Sequence, residues 1–346
     1  MQREAFGDQR FRCTARASLD AGLEPPAGWR RIPLYDAPHV QVERWLGPDG
    51  HGRIVKRVAS AERVTRERVI HTTLAEAGLA RGTLMAWRDA DPGWLMYRDA
   101  GWVGMRWGER EAGRVIDEMV RIHRTHPAPI LEALRTRGCP PRSHTPAYAD
   151  VAAAAMDTEA LAVLDRWEVR VGMRVGRFAR GLWFRLKRDP IYPIRGLPEV
   201  LYHGDLHPGN VVWDPAGRCP VVIDWEFVHV RHAYFDLFQW LDVTSPTAPK
   251  VRVARRLWAL ARYRSRHPEA APPTWRRNRW LRGYLAYAFV HLMWILQRME
   301  EDLRSHRHPP DALARQARET LAGIGSIAAQ WRRLGSEAGR PPRAGG

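Results

Sequence analysis

The residues able to do chemistry crowd into the stretch His203-Gly204-Asp205-Leu206-His207-Pro208-Gly209-Asn210. Asp205 is a carboxylate on a tight turn, a residue type that can take a proton from a hydroxyl. Asn210 adds an amide oxygen five residues later. Beyond it, Val211-Val212-Trp213 reads as a strand, Asp214-Pro215-Ala216-Gly217 as a turn, and Val221-Val222-Ile223 as a return strand ending at Asp224-Trp225-Glu226. If 211 pairs with 223, Asn210 and Asp224 face each other at the open end of a hairpin and two oxygen-bearing side chains converge. Oxygen ligands with room for water suit Mg²⁺, which keeps several waters and completes its shell with substrate phosphates. Zinc fits poorly: His203 and His207 are four apart, but Gly204, Pro208 and Gly209 oppose a helix and no third ligand is evident. Asp214 reads as a turn residue.

Elements upstream must supply the rest of such a site. Val40-Gln41-Val42, the turn Gly47 to Gly52 and Arg53 to Val58 read as strand, turn and strand. Ile54, Lys56 and Val58 share one face while Arg53 and Arg57 take the other, so Lys56 is a cation on the more apolar side and needs a partner. A helix over 61–77 offers Glu67, which falls in the stripe of Val64, Ile70 and Leu74.

The spacing His-x-Asp-Leu-x-x-x-Asn agrees with the kinase catalytic loop, with Gly204 where protein kinases carry Arg. HGDLHPGN followed by VVIDWEF resembles the aminoglycoside phosphotransferase and choline kinase superfamily. The resemblance implies an α+β, two-lobed protein-kinase-like fold, with a small N-terminal β-rich lobe and a larger, mainly helical C-terminal lobe. By position it implies Asp205 as catalytic base, Asn210 and Asp224 as Mg²⁺ ligands, and Glu226 on either the metal or its water shell. His203 becomes a buttress of the loop. Asp236, in His232 to Trp240, matches the residue that ties the loop down. Lys56, held by Glu67, resembles the ion pair that presents Lys to the phosphates of ATP or GTP. Backbone from Tyr97 to Asp99, after the strand Trp94-Leu95-Met96-Tyr97, would meet the adenine edge.

The chain also departs from the wider kinase pattern. No G-x-G-x-x-G or G-x-x-x-x-G-K-[ST] loop precedes Lys56, only Asp36-Ala37-Pro38-His39. Glu226 replaces the Gly of D-F-G and no A-P-E follows, so phosphorylation-controlled protein kinase machinery is not visible.

At 346 residues and 45% hydrophobic, the chain is long enough for two cored lobes. Cys13, Cys139 and Cys219 form neither a disulfide framework nor a metal pattern, and the start carries no apolar run. Those features fit a cytoplasmic protein. Tyr284 to Met299 is too short to span a bilayer and reads as a buried helix. The net charge of +17 favours anionic partners, including an inner membrane face, although a solvated Arg-rich surface accounts for it equally. No nucleic-acid motif is present.

The expected organisation is a lead-in over 1–27, a nucleotide-binding lobe over 28–100, a catalytic and substrate lobe over 101–331, and a disordered tail over 332–346. Within the second lobe, Gly108 to His126 reads as an amphipathic helix whose His123 and His126 are packing and solvent-facing residues, and 127–147 as a connection. Residues 150–189 read as a basic amphipathic helical segment. Arg166, Arg170, Arg174, Arg177 and Arg180 form a ridge there for an anionic substrate or membrane surface, or simply a solvated face. Residues 251–330 read as helices broken at Pro268 and Pro309-Pro310. Their Trp294 and Glu300 to Asp302 would suit a cationic acceptor if they form a cage.

The expected activity is Mg²⁺-dependent transfer of a γ-phosphoryl group from ATP or GTP to a hydroxyl of a small molecule. A lipid-linked or anionic glycan acceptor and a catalytically silent nucleotide-binding protein are the alternatives.

Overall fold

A computed structural model describes residues 22–37, 39–80, 84–101, 108–143, 145–214 and 219–337. They divide into two compact units after Gly101. In the first, the strands β1 (Arg30–Ala37), β2 (Val40–Leu46), β3 (Gly52–Val58), β4 (Leu84–Arg88) and β5 (Gly93–Arg98) form one antiparallel sheet in the order β1-β2-β3-β5-β4. The helix α1 (Ala61–Glu76) starts at Ser60, whose hydroxyl accepts from the Arg63 N–H. Strand alternation splits the core in two. Val58 and Leu95 pack on Val64 of α1, whereas Val55 and Met96 pack on Trp45 on the other face.

The second unit runs through α2 (Glu109–Arg124), α3 (Pro127–Thr136), α4 (Tyr148–Ala155), α5 (Thr158–Val171) and α6 (Arg177–Arg188). It continues with β6 (Glu199–Tyr202), β7 (Val211–Trp213), β8 (Pro220–Val222), β9 (His229–His232), α7 (Tyr234–Leu241), α8 (Arg256–Arg266), α9 (Arg277–Arg304) and α10 (Pro310–Glu337). Two short antiparallel pairs, β6 with β9 and β7 with β8, carry the loop from His203 to Asn210. The long helix α9 supplies the core, with Tyr284, Ala288, Leu292 and Leu296 fully buried. Among the described residues, no helix is long and apolar enough to cross a membrane.

Four readings of the chain need correction. The connection over 127–147 contains α3, which Pro127 opens at a position where a missing N–H costs nothing. The basic segment over 150–189 falls into three helices: Asp157 caps a new helix after α4, its side chain accepting the Glu159 N–H, and Gly172 and Gly176, with φ of 66° and 77°, separate α5 from α6. The ridge is therefore discontinuous and largely paired. Arg166 contacts Glu159 at 2.8 Å and Glu300 at 3.2 Å, Arg170 contacts Glu300 at 3.3 Å, and Arg180 contacts Glu168 at 3.0 Å. Glu300 is thus taken by arginines, and Glu301 and Asp302 contact Arg298 and Arg307. Residues 332–337, expected in the tail, belong to α10, which continues to Glu337; residues 338–346, like 1–21 and 215–218, lie outside the described residues.

His291 of α9 sits buried against the rings of Tyr148, Phe238 and Tyr287. Burial pushes its imidazole down from 6.5 to about 4, partly opposed by the Tyr287 carbonyl. The unfolded chain takes up that proton near pH 6.5 and the folded chain refuses it until about 4, so this contribution to stability is present above 6.5 and lost as pH falls toward 4. The melting temperature should drop across that window, and His291→Phe should make the drop shallower; parallel profiles would contradict the assignment.

Candidate active site

Each unit contains one cluster. In the first, Lys56 lies between Val42 and Leu95 in the sheet, on the face toward α1. Its Nζ is 2.8 Å from Glu67 Oε2, and both side chains are nearly buried. The hydroxyl of Tyr97 donates to Glu67 Oε1 at 2.8 Å. Tyr97 is therefore tied by its side chain to the carboxylate that holds Lys56, a contact not read from the sequence. At the end of β5, Asp99 receives Arg44 at 2.6 Å and the Gly101 N–H at 3.0 Å. A Cβ on Gly52 would lie 2.2 Å from the Asp99 carboxylate, so only glycine fits beside it.

In the second unit the loop leaves β6 at His203, whose fully buried ring bridges two parts of the cluster. Its Nε2–H donates to the Ile223 carbonyl at 2.9 Å, which leaves Nδ1 to accept from the Asp205 N–H at 3.2 Å. Burial lowers its pKa most strongly, against the opposing pull of the Asp236, Asp205 and Asp224 carboxylates, so the ring is neutral in this bonding pattern. Trp225 packs edge-on against it, with ring centroids 4.6 Å apart.

Gly204 has φ of 91°, and a Cβ there would meet the Phe227 carbonyl at 2.4 Å. That contact explains why no side chain occupies the position that is Arg in protein kinases. The buried Asp236 fixes the same backbone: it accepts the His203 N–H at 2.8 Å and the Gly204 N–H at 3.1 Å. His123 of α2 gives it a third hydrogen bond, at 3.1 Å from Nε2, and the chain of contacts runs on through Tyr263 at 2.7 Å to His267 at 2.9 Å. His123, expected to serve packing or face solvent, is buried and hydrogen-bonded. Its partners are more than 100 residues away in sequence, and only the helical spacing hinted that it faces inward.

Asn210 donates both amide protons to Asp205, to the main-chain oxygen at 2.9 Å and to Oδ2 at 3.1 Å. His207 caps the turn by accepting the Gly209 N–H at 3.0 Å. The hairpin register differs from the expectation by one residue. Val211 pairs with Val222, and the Ile223 N–H donates to the Asn210 carbonyl at 3.0 Å, so Ile223 rather than Asp224 stands opposite Asn210. Asp224 follows with φ of 64°, leaving the strand in a left-handed turn that Asp tolerates. The donor set still suits a hard cation. With both Asn210 protons committed to Asp205, its amide oxygen is the atom a metal would take, and Asp224 and Glu226 add carboxylate oxygens in the next turn of chain. Among the described residues no group of three His, Cys, Asp or Glu is placed to hold a metal by itself.

The family model for the phosphotransferase enzyme family matches residues 42–267, well over half of the chain. The chain belongs to that family. The match takes in both clusters, the loop at Asp205 and the pair Lys56–Glu67. Solved structures agree on the fold. An ethanolamine kinase of Plasmodium vivax is 10% identical, with 87% of this chain and 84% of that chain covered and a TM-score of 0.51. A choline/ethanolamine kinase family protein from Mesorhizobium loti is 13% identical, covering 86% and 92%, with a TM-score of 0.50. A macrolide 2'-phosphotransferase type I is 18% identical over 84% and 92%, with a TM-score of 0.46. No curated protein matches the phosphotransferase.

Proposed function

We propose that this phosphotransferase moves the γ-phosphoryl group of ATP or GTP onto a hydroxyl of a small molecule, with Asp205 as the group that receives the hydroxyl proton. The observation that carries the reading is the Asp205 carboxylate itself. It is held by Asn210 on a turn that His203 and Asp236 pin from beneath. In the step proposed, the acceptor oxygen forms a bond to the γ-phosphorus while the bond from that phosphorus to the β–γ bridging oxygen breaks. The nucleoside diphosphate leaves with the electron pair, and the hydroxyl proton passes to Asp205.

Asn210 and Asp224 would hold Mg²⁺, with Glu226 on the ion or its water. When bound, the ion would neutralise charge on the phosphate oxygens. Lys56, oriented by Glu67 and through it by Tyr97, supplies positive charge to the nucleotide phosphates. Backbone near Tyr97 to Asp99 would meet the base. His203 and Asp236 act by holding the loop.

Lys56→Met should weaken nucleotide binding by about 10- to 100-fold, the loss of a charge-assisted contact. Tyr97→Phe should cost only a few-fold, about one neutral hydrogen bond. Calorimetric titration of both variants with nucleotide checks the order; an equal loss would remove Tyr97 from its supporting role.

The acceptor reading rests on an uncommitted small molecule. Pairing of Arg166, Arg170 and Arg180 with carboxylates gives no support to an anionic glycan or a membrane at that ridge. The test is incubation with Mg-ATP and Mg-GTP across macrolides, aminoglycosides, choline, ethanolamine and sugars, read by mass spectrometry. One acceptor should gain a single phosphoryl group. Tight nucleotide binding with no acceptor modified would favour a binding protein instead.

A further inference from the structure

Among the described residues, the buried Arg44 and Arg57 sit on carboxylates, as Arg256 does on Asp242 at 2.6 Å. A different arrangement occurs where α6, the start of α9 and the end of α10 meet. The Arg282 guanidinium lies 4.0 Å over the Trp331 ring, and Arg185 lies 5.4 Å over the same ring. One helical turn before Arg282, Arg279 stacks at 3.6 Å on Tyr192 and 4.2 Å on Trp275. Aromatic faces, rather than acids, accommodate these charges.

Three buried nitrogens in this group have no hydrogen-bond acceptor in the protein: Arg282 Nε, Arg279 Nη1 and Trp331 Nε1. All three are donors. Buried donors ordinarily find an acceptor. Burial lowers the Arg282 pKa first, and the like charges of Arg185 and Arg279 lower it further, against Tyr192. Arg279 Nη2 donates to the Tyr192 carbonyl at 2.8 Å, but among the described residues no carboxylate pairs with Arg185, Arg279 or Arg282, and what the group lacks is a ligand with negative charge and several acceptor oxygens. Guanidinium forks match the oxygens of a phosphate group in this way.

We propose that Arg185, Arg282 and Trp331 form a second anion site, built from none of the residues of the Asp205 centre, that holds the phosphate group of a ligand. The rest of that ligand has a place beside it. Phe178 lies two helical turns before Arg185 on α6, and Arg332 follows Trp331 on α10. Together with Ala329 and Arg333 they line a groove of about 360 Å³, in which Arg332 covers Phe178 at 4.1 Å. An apolar floor with a cationic rim suits a phosphate ester better than bare phosphate.

The test titrates the full chain, without divalent metal, with inorganic phosphate and with glycerol phosphate, and in parallel sediments it with phosphatidic acid vesicles diluted in phosphatidylcholine. The proteins compared are wild type, Lys56→Met, Arg185→Gln and Arg282→Lys. Binding in at least one arm should persist in Lys56→Met and weaken about tenfold in each arginine variant, the loss expected for one charge-assisted contact. Binding of the soluble phosphates identifies a diffusible ligand, and binding of vesicles alone identifies a lipid headgroup; both support the site. Arg185 is exposed, so Arg185→Gln tests the site even if Arg282→Lys lowers the melting temperature. Affinity unchanged in Arg185→Gln, binding abolished by Lys56→Met, or no binding in any arm would overturn the proposal.

Discussion

Asp205→Ala should lower kcat by about two to four orders of magnitude, the range for removing a positioned general base, while nucleotide affinity stays within about twofold, since a side chain that acts on the acceptor proton adds little to ground-state binding. The split between kcat and Kd is what distinguishes a base from a structural carboxylate. The loop should survive the change. Asn210 keeps its hydrogen bond to the Asp205 main-chain oxygen at 2.9 Å, His203 keeps its contact with the Asp205 N–H, and Asp236 keeps the backbone before it. Melting temperature, nucleotide Kd and kcat should therefore be measured on one preparation. A variant with wild-type kcat would remove Asp205 from the chemistry, and one that melts early would make the loss of rate uninformative.

Asp236→Ala should have the largest effect on stability. Its carboxylate is wholly buried and is the shared acceptor for the His203 N–H, the Gly204 N–H and His123 Nε2. Truncation leaves three buried donors unpaired, a cost of about 3–5 kcal/mol by analogy with breaking one side of a buried pair. That is a large part of the roughly 5–15 kcal/mol that holds a typical domain folded. Asp236→Asn keeps one acceptor oxygen and should fall between. Chemical denaturation of both variants checks the ranking; an alanine variant within about 1 kcal/mol of wild type, the net worth of one ordinary hydrogen bond, would show that the network is dispensable.

Local signals made much of this legible. Alternation along β3 put Lys56 on the face that meets α1, and helical spacing put Glu67 in the facing stripe; their contact at 2.8 Å joins those two periodicities. The run from His203 to Asp224 announced itself by residue type, strand pattern and resemblance together. What escaped the sequence depends on single backbone angles or on distant partners. The hairpin pairs Val211 with Val222, and Asp224 then leaves the strand with a left-handed φ of 64°, which has no signature beyond a residue that tolerates it. A one-residue slip moves every side chain to the other face, so register needs the fold rather than the pattern. The strands β6 and β9 have four residues each, too few to show alternation, and pair across 26 intervening residues. His123 looked like packing because Asp236 and Tyr263 are remote in the chain. The arginine ridge had the right spacing within each helix, but Gly172 and Gly176 interrupt it and Glu300, arriving from α9, neutralises part of it.

The most direct measurement of the central claim follows a label placed on the γ-phosphoryl group of ATP or GTP, using purified wild-type protein with the acceptor panel, in Mg²⁺ and after chelation. The account predicts that label moves to a hydroxyl of an organic acceptor in Mg²⁺ and that transfer stops when the metal is removed. Label retained on bound nucleotide with every acceptor, or transfer that continues undiminished in chelator, would contradict it.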